Sequence, residues 1–160
     1  MKAVTLNLDG LKKLQGQLTE LEAGEAHVGI FAANANRRPD RYRPGSKDDN
    51  VSIGFAHEFG GGLPRRSFLL APLSLHLGPL ILAKGEDWMY VLRTQGVKSV
   101  LRFLGRLGED IVQEAFATRG FGFWPELHPD TIAKKKARGR STAILIEMEQ
   151  MRNSISSRVI

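Results

Sequence analysis

The chain has no cysteine in its 160 residues. Disulfides and thiolate metal sites are therefore excluded, and the composition suits a reducing compartment. It also has no long apolar run. The densest, residues 77–83, is interrupted by Gly78 and Pro79 and is far too short to span a bilayer. The first residues, Met1-Lys2-Ala3-Val4-Thr5-Leu6-Asn7-Leu8, hold no continuous apolar core, so neither a signal peptide nor a membrane partner is expected. The sequon Asn50-Val51-Ser52 has no meaning without secretion. No internal repeat is visible, and no low-complexity tract is long enough to separate domains. What remains is ordinary for a globular chain, with 42% hydrophobic and 25% charged residues. One domain over 1–160 is the expectation, with length enough for a real core.

Lys and Arg number 23 against 17 Asp and Glu, a net charge of +6. Such a balance suits contact with nucleic acid or with an acidic protein surface, and equally suits plain solubility. Basic residues gather in three places. Arg37, Arg38, Arg41 and Arg43 lie within residues 33–50, a stretch rich in Asn, Asp, Pro, Gly and Ser. A long basic loop of this kind reads as a flexible arm that orders against a partner. Arg65 and Arg66 follow a Gly60-Gly61-Gly62 turn, and Lys134, Lys135, Lys136, Arg138 and Arg140 form the densest cluster. Phosphate contact is one use for that cluster; complementing the negative end of a helix is the other and suffices locally. No aromatic ribonucleoprotein pattern or helix-turn-helix signature accompanies the charge.

The apolar periodicity predicts the elements. Val4, Leu6 and Leu8 alternate like a short strand, and Leu11, Leu14, Leu18 and Leu21 make one helical stripe, with Asp9 as its cap and Gly24 as its stop. His27-Val28-Gly29-Ile30-Phe31 reads as a second strand. Residues 51–60 fit a strand through Val51, Ile53 and Phe55, or a helix through Val51, Phe55 and Phe59. As a helix, Phe55 and Phe59 would anchor one face in the core, and stiffening at Pro64 would leave Arg65 and Arg66 projecting. Leu69, Leu73, Leu77 and Leu80 suggest a helical face kinked at Pro79. The strongest signal runs from Val97 through Val100, Leu101, Leu104, Leu107, Ile111, Val112 and Ala115, predicting a helix over 95–118. Pro129 suits a first helical position, with Lys134 to Lys136 near the far end. Ile144, Met148, Met151 and Ile155 predict a last amphipathic helix that packs by its apolar face, ahead of a strand at Arg158-Val159-Ile160. The fold class expected is α+β, a small sheet with several helices, helices dominating the second half.

Catalytic patterns are incomplete in this sequence. His57-Glu58 starts like a zincin motif, but the second histidine should stand at position 61, which is Gly61. His27, His76 and His128 have no ligand spacing. Gly60-Gly61-Gly62 lacks the Lys and Ser/Thr of a phosphate loop, and no Gly-x-Ser-x-Gly elbow is present. Glu109 and Asp110 are adjacent on a helix and so point different ways. No catalytic residue, cofactor or metal is expected; a small hydrolase using His57 and Glu58 is the weakest of the readings.

Three blocks stand in a telling order. The first is Ile53-Gly54-Phe55-Ala56-His57-Glu58-Phe59-Gly60, followed by Leu63-Pro64-Arg65-Arg66-Ser67-Phe68-Leu69. The second is Trp124-Pro125-Glu126-Leu127-His128-Pro129-Asp130-Thr131-Ile132-Ala133-Lys134-Lys135, and the third is Ile144-Leu145-Ile146-Glu147 with Gln150-Met151-Arg152-Asn153-Ser154-Ile155. With Val28-Gly29-Ile30-Phe31 upstream, this pattern resembles the phage virion morphogenesis and tail-completion proteins, the neck and minor tail subunits of lambda-like and Mu-like tailed phages. Two departures stand out. The family commonly carries Thr-Gly where Met148-Glu149 stands, which would let a helix run through, and Ser67 occupies the place of a usual second proline.

The resemblance implies a structural virion assembly protein with no reaction. Such a subunit completes a tail, or joins tail to head, in a homo-oligomeric ring, with a hexamer leading. Its partners would be other neck, connector or tail-tube proteins, with genomic DNA in the lumen; its place would be the virion, after assembly in the host cytoplasm. Partner or DNA contacts would then fall to Arg37, Arg38, Arg41, Arg43, Arg65, Arg66, Lys134, Lys135 and Lys136. Packing or interface contacts would fall to Phe55, Phe59, Trp124, Met148 and Met151. The alternative is a small basic nucleic-acid-binding protein, suggested by charge alone.

Overall fold

Helix propensity and apolar periodicity agree most strongly near the middle of the chain, and the longest helix forms there. The computed structural model describes residues 8–38, 45, 47–146 and 149–160. In chain order these form α1 (Asp9–Ala23), β1 (Ala26–Ile30), α2 (Asn50–Phe59), α3 (Leu70–Ala83), α4 (Gly85–Gln95), α5 (Val97–Ala117), α6 (Pro129–Ala137) and β2 (Ile155–Val159). Short 3₁₀ turns occur at Ala32–Asn34 and Arg152–Ser154. The fold is a small single-domain α+β arrangement, as the sequence predicts.

α5 touches α1, α3, α4 and both strands. Its buried residues, Val97, Val100, Leu101, Leu107, Ile111, Val112, Ala115 and Phe116 among them, recur every three or four positions. They serve two clusters. At one end Val97, Val100 and Leu101 join Leu92 of α4, with Leu14, Leu21 and Trp88 against them. At the other, Val112, Ala115 and Phe116 join Phe68, Trp124, Ile144, Met151 and Ile155. Between these ends the sheet lies close to the helix. A Cβ on Gly105 would stand 2.8 Å from Ser157 Cβ, and one on Gly108 would stand 2.8 Å from Val28 Cγ2. Two glycines on one face thus let the strands pack against helix backbone.

β1 and β2 pair antiparallel, from Ala26 opposite Val159 to Ile30 opposite Ile155. The carboxylate of Glu109 accepts from Ser157 N at 2.5 Å, while Arg152 Nε donates to Gln113 Oε1 at 2.6 Å. Both bonds pin the C-terminal strand and its approach to α5. Glu109 is therefore turned to the sheet and Asp110 away from it, as their helical spacing requires.

Several expectations need correction. The helix predicted over 144–155 does not form. Ile144, Met151 and Ile155 are buried, so the spacing marks core positions, but Leu145 and Glu149 have φ of 58° and 57° and the strand begins at Ile155. A left-handed residue ends a helix, and pairing with β1 outweighs the local period. The reading that Met148-Glu149 lets a helix run through fails at Glu149, which takes the left-handed conformation that glycine adopts readily. Asp9 is the first residue of α1 rather than its cap, and Leu11 and Leu18 are exposed at 63% and 41%. α4 was not foreseen; Gly96, at φ 81°, separates it from α5. The strand read at Val4, Leu6 and Leu8 falls mostly on residues 1–7, outside those described, as do Arg41, Arg43 and Met148.

Glu149 is exposed, and a non-glycine residue in the left-handed region is disfavoured by roughly 1–2 kcal/mol, partly offset by the entropy glycine loses on folding. Glu149→Gly is expected to raise the unfolding free energy by up to about 1 kcal/mol. Urea denaturation of the two proteins measures it, and a fall in stability would mean that the side chain matters more than the backbone.

Candidate functional site

α3 starts with apolar residues, Leu69-Leu70-Ala71-Pro72, and has no capping side chain at its own N-cap. Its first backbone donors must find acceptors elsewhere. They find them on Glu58, which is 4% exposed. Its Oε2 accepts from Phe68 N at 2.9 Å and Leu69 N at 3.0 Å; its Oε1 accepts from Leu70 N at 3.0 Å and from Ser67 Oγ at 2.5 Å. Ser67 Oγ in turn accepts from Ala71 N at 2.9 Å. Pro72 has no N–H, so the first turn of α3 is fully satisfied. A carboxylate there also sits at the positive end of the helix dipole.

Glu58 reaches this place because α2 ends just after it. Asp49 caps α2, accepting from Ser52 N at 2.7 Å, and Gly60 closes it at φ 82°. Gly54, inside α2, lets Phe68 and Met151 come close, with Phe68 Cζ 3.3 Å from where a Cβ would stand. The returning segment is tied on both sides. Arg66 N donates to His57 O at 2.8 Å, and Arg65 Nε donates to Glu58 O at 3.1 Å. Arg66 Nε and Nη2 donate to the carbonyls of Pro125 and Glu126, and Trp124 Nε1 donates to Ser67 O at 2.9 Å. The first and second sequence blocks are thus one hydrogen-bonded unit. Trp124 packs edge-on to Phe116, 5.7 Å between centroids.

The predicted contact residues divide accordingly. Arg66 does not project; it is 5% exposed and spent on the 125–126 carbonyls. Lys135 is also buried, its Nζ donating to Ala143 O at 2.8 Å, so it joins α6 to the 143–146 segment rather than facing solvent. Lys134, Lys136 and Arg65 are exposed. Arg37 is drawn inward by Nη1 to Asn50 Oδ1 at 2.9 Å, and Arg38 N donates to Gln150 Oε1. Asn50, itself buried, holds the same loop by donating to the carbonyls of Asn34 and Asn36. Trp124 and Met151 are core residues.

Phe55 and Phe59 are not core. They stand 64% and 57% exposed, their rings 4.7 Å apart, with Val51 exposed one turn earlier on the same helix and Leu63 exposed past the glycine turn. The buried face of α2 is instead Asn50, Gly54 and Glu58, one residue earlier in the same period. The aromatic spacing signalled a helix face correctly and its burial wrongly. Glu58, Asn50 and Ser67 were missed as structural residues. The signal available for Glu58 was the uncapped, apolar start of α3 a few residues on.

His57 is half-buried, and its Nδ1 has no hydrogen-bond partner. Burial, with the nearby Arg66 and Lys135 charges, holds its pKa below the ordinary histidine value. Glu58, its neighbour in sequence, is committed to α3. Among the described residues no group of three His, Asp or Glu is placed to hold a metal ion, and no helix is long and apolar enough to cross a membrane. Comparison with family models, curated proteins and solved structures finds no match.

Two outcomes are expected. Glu58→Gln keeps one acceptor oxygen and turns an amide donor toward donors, so it should lower the unfolding free energy by about 2–4 kcal/mol. An unchanged urea midpoint would remove Glu58 from its organising place. For His57 the folded chain binds the proton less readily than the unfolded chain does. Its contribution is fully present above the ordinary value of 6.5 and is lost as pH falls from there toward the lower folded value. Between about pH 7 and about pH 5 the parent should therefore lose more melting temperature than His57→Gln does. Parallel losses in the two proteins would contradict it.

Proposed function

We propose that the chain is a structural assembly subunit of a tailed-phage particle, one that completes the tail or joins it to the head in a homo-oligomeric ring. A hexamer is the leading arrangement, and no reaction is assigned. The observation that carries this reading is the hydrogen-bonded union of the first two sequence blocks. Trp124 and the 125–126 carbonyls bind Ser67 and Arg66, so the residues that carry the resemblance build an architecture together. Glu58, the residue most like a catalytic acid, accepts four hydrogen bonds within that unit. A second point in support is Glu149, whose left-handed backbone stands where the resembled family commonly has glycine.

An assembly subunit needs an exposed surface that a monomer has no use for. The exposed Val51, Phe55 and Phe59 face of α2 meets that need, since contiguous apolar patches on soluble proteins usually mark interaction sites. Exposed cations such as Lys134 and Lys136 suit an acidic ring face or DNA in a lumen. Neck, connector or tail-tube proteins are the proposed neighbours.

Negative-stain imaging of the purified protein should reveal closed rings, and labelled chain should appear at the neck or tail end of particles. A strict monomer inside an imaged particle would sink the reading. So would tight, steeply salt-dependent binding of short duplex DNA by the isolated monomer, which belongs to a nucleic-acid-binding protein instead.

A further inference from the structure

A groove of about 520 Å³ lies between the second half of α3 and the C-terminal part of α5. Its floor is apolar, from Leu80 and Ile111. Two carboxylates, Asp110 and Glu114, stand one helical turn apart along its wall. Both are exposed, and neither is paired among the described residues. His76 and Phe121 form the other side, their rings stacked at 4.0 Å. The His76 Nε2 atom is buried without a hydrogen-bond partner. An aromatic face, two carboxylates and an apolar floor make a receptor for a planar cation carried beside an apolar group. On a chain of net charge +6 this acidic spot runs against the general sign.

The same chain carries a shape of matching chemistry. At the end of α2, Phe59 is 57% exposed and Leu63, past the turn, is 48% exposed; Arg65, also exposed, has its Cβ 3.3 Å from where a Cβ on Gly60 would stand. Arg65 is not a loose side chain. Its Nε donates to Glu58 O, which leaves the two terminal nitrogens uncommitted on a guanidinium already oriented. Less ordering entropy is then lost when those nitrogens bind. Phe55 stacks on Phe59 and steadies the apolar part.

We propose that the α3–α5 groove receives Arg65 and Phe59 of a second copy of this chain. The guanidinium bridges Asp110 and Glu114 over the Phe121 ring, and the phenyl group covers Leu80 and Ile111. The occupant is a second copy because the knob and the groove are opposite in charge, alike in apolar character and present on every molecule. Two different patches joined in this way make a head-to-tail contact, which closes into a ring when the rotation between copies permits. The proposal rests on the assembly-subunit reading and names the surfaces that reading needs.

Sedimentation velocity on the full chain measures self-association for the parent, Arg65→Glu, Glu114→Arg and the double variant. Each single reversal is expected to weaken association about tenfold or more, and the double variant to recover most of it. Thermal melting follows the fold of each variant. Because Arg65→Glu also removes the bond to Glu58 O, Asp110→Lys with Glu114→Lys reads the same contact from exposed positions that do not support the core. Association unchanged by these reversals, or a parent monomeric at every concentration, overturns the proposal. An arginine-rich peptide bound by the monomer and lost on Glu114→Arg also overturns it, giving the groove to another protein. The two readings fail separately. Rings imaged with unaltered strength in the reversed variants remove this contact and leave the subunit standing, whereas absence of the chain from particles removes the subunit.

Discussion

Four donors meet the Glu58 carboxylate: the backbone N–H groups of Phe68, Leu69 and Leu70, and the Ser67 hydroxyl. A buried carboxylate is tolerable when donors replace its water shell, and unpaired helix N–H groups are tolerable when an acceptor meets them. Each side of this contact solves the other's problem. Its position then fixes much else. α2 must end near Glu58, the chain must reverse through Gly60 to Gly62, and α3 must start where its first turn faces back on α2. Ser67 is held by the carboxylate, and its carbonyl holds the Trp124 indole, so the contact reaches across to the segment that leads into α6.

α5 is the support on which this unit and the sheet both rest. It presents large side chains toward α3 and α4 and none at Gly105 and Gly108, where the strands lie against it. The long buried side chains make the two core clusters, and the bare positions make room for β1 and β2. Asn50 repeats the logic of Glu58 on a smaller scale, one buried polar side chain that satisfies several backbone groups of a loop. Both buried side chains thus shape the connections between helices.

What the sequence made legible was set by the range of the forces involved. α5, the start of α6 at Pro129 and the β1 strand depend on local periodicity and local backbone limits, and they were readable. The 144–155 stretch was not, because the deciding contact is with β1, more than a hundred residues earlier in the chain. The apolar stripe there named the right buried residues and the wrong secondary structure. On α2 the reverse happened: the helix was one of two readings, but the buried face was assigned to Phe55 and Phe59 when Gly54 and Glu58 hold it. Aromatic size argues for burial on average, and only the placement of Phe68 and Met151 against Gly54 shows which face is occupied. Arg66 and Lys135 were legible as charges and not as buried donors, since their acceptors are carbonyls that no sequence pattern marks.

The sheet joins residues 26–30 to residues 155–159. During synthesis β2 leaves the ribosome after all the described helices have emerged, so β1 waits unpaired beside α5 until residues 155–159 arrive. Closing so long a loop adds little equilibrium penalty over a shorter one, but it makes this pairing a late step in folding. A chain lacking residues 155–159 would lack the strand that Glu109 and β1 are built to receive. The arrangement makes the paired sheet a mark that everything between residues 26 and 159 has been made and folded together.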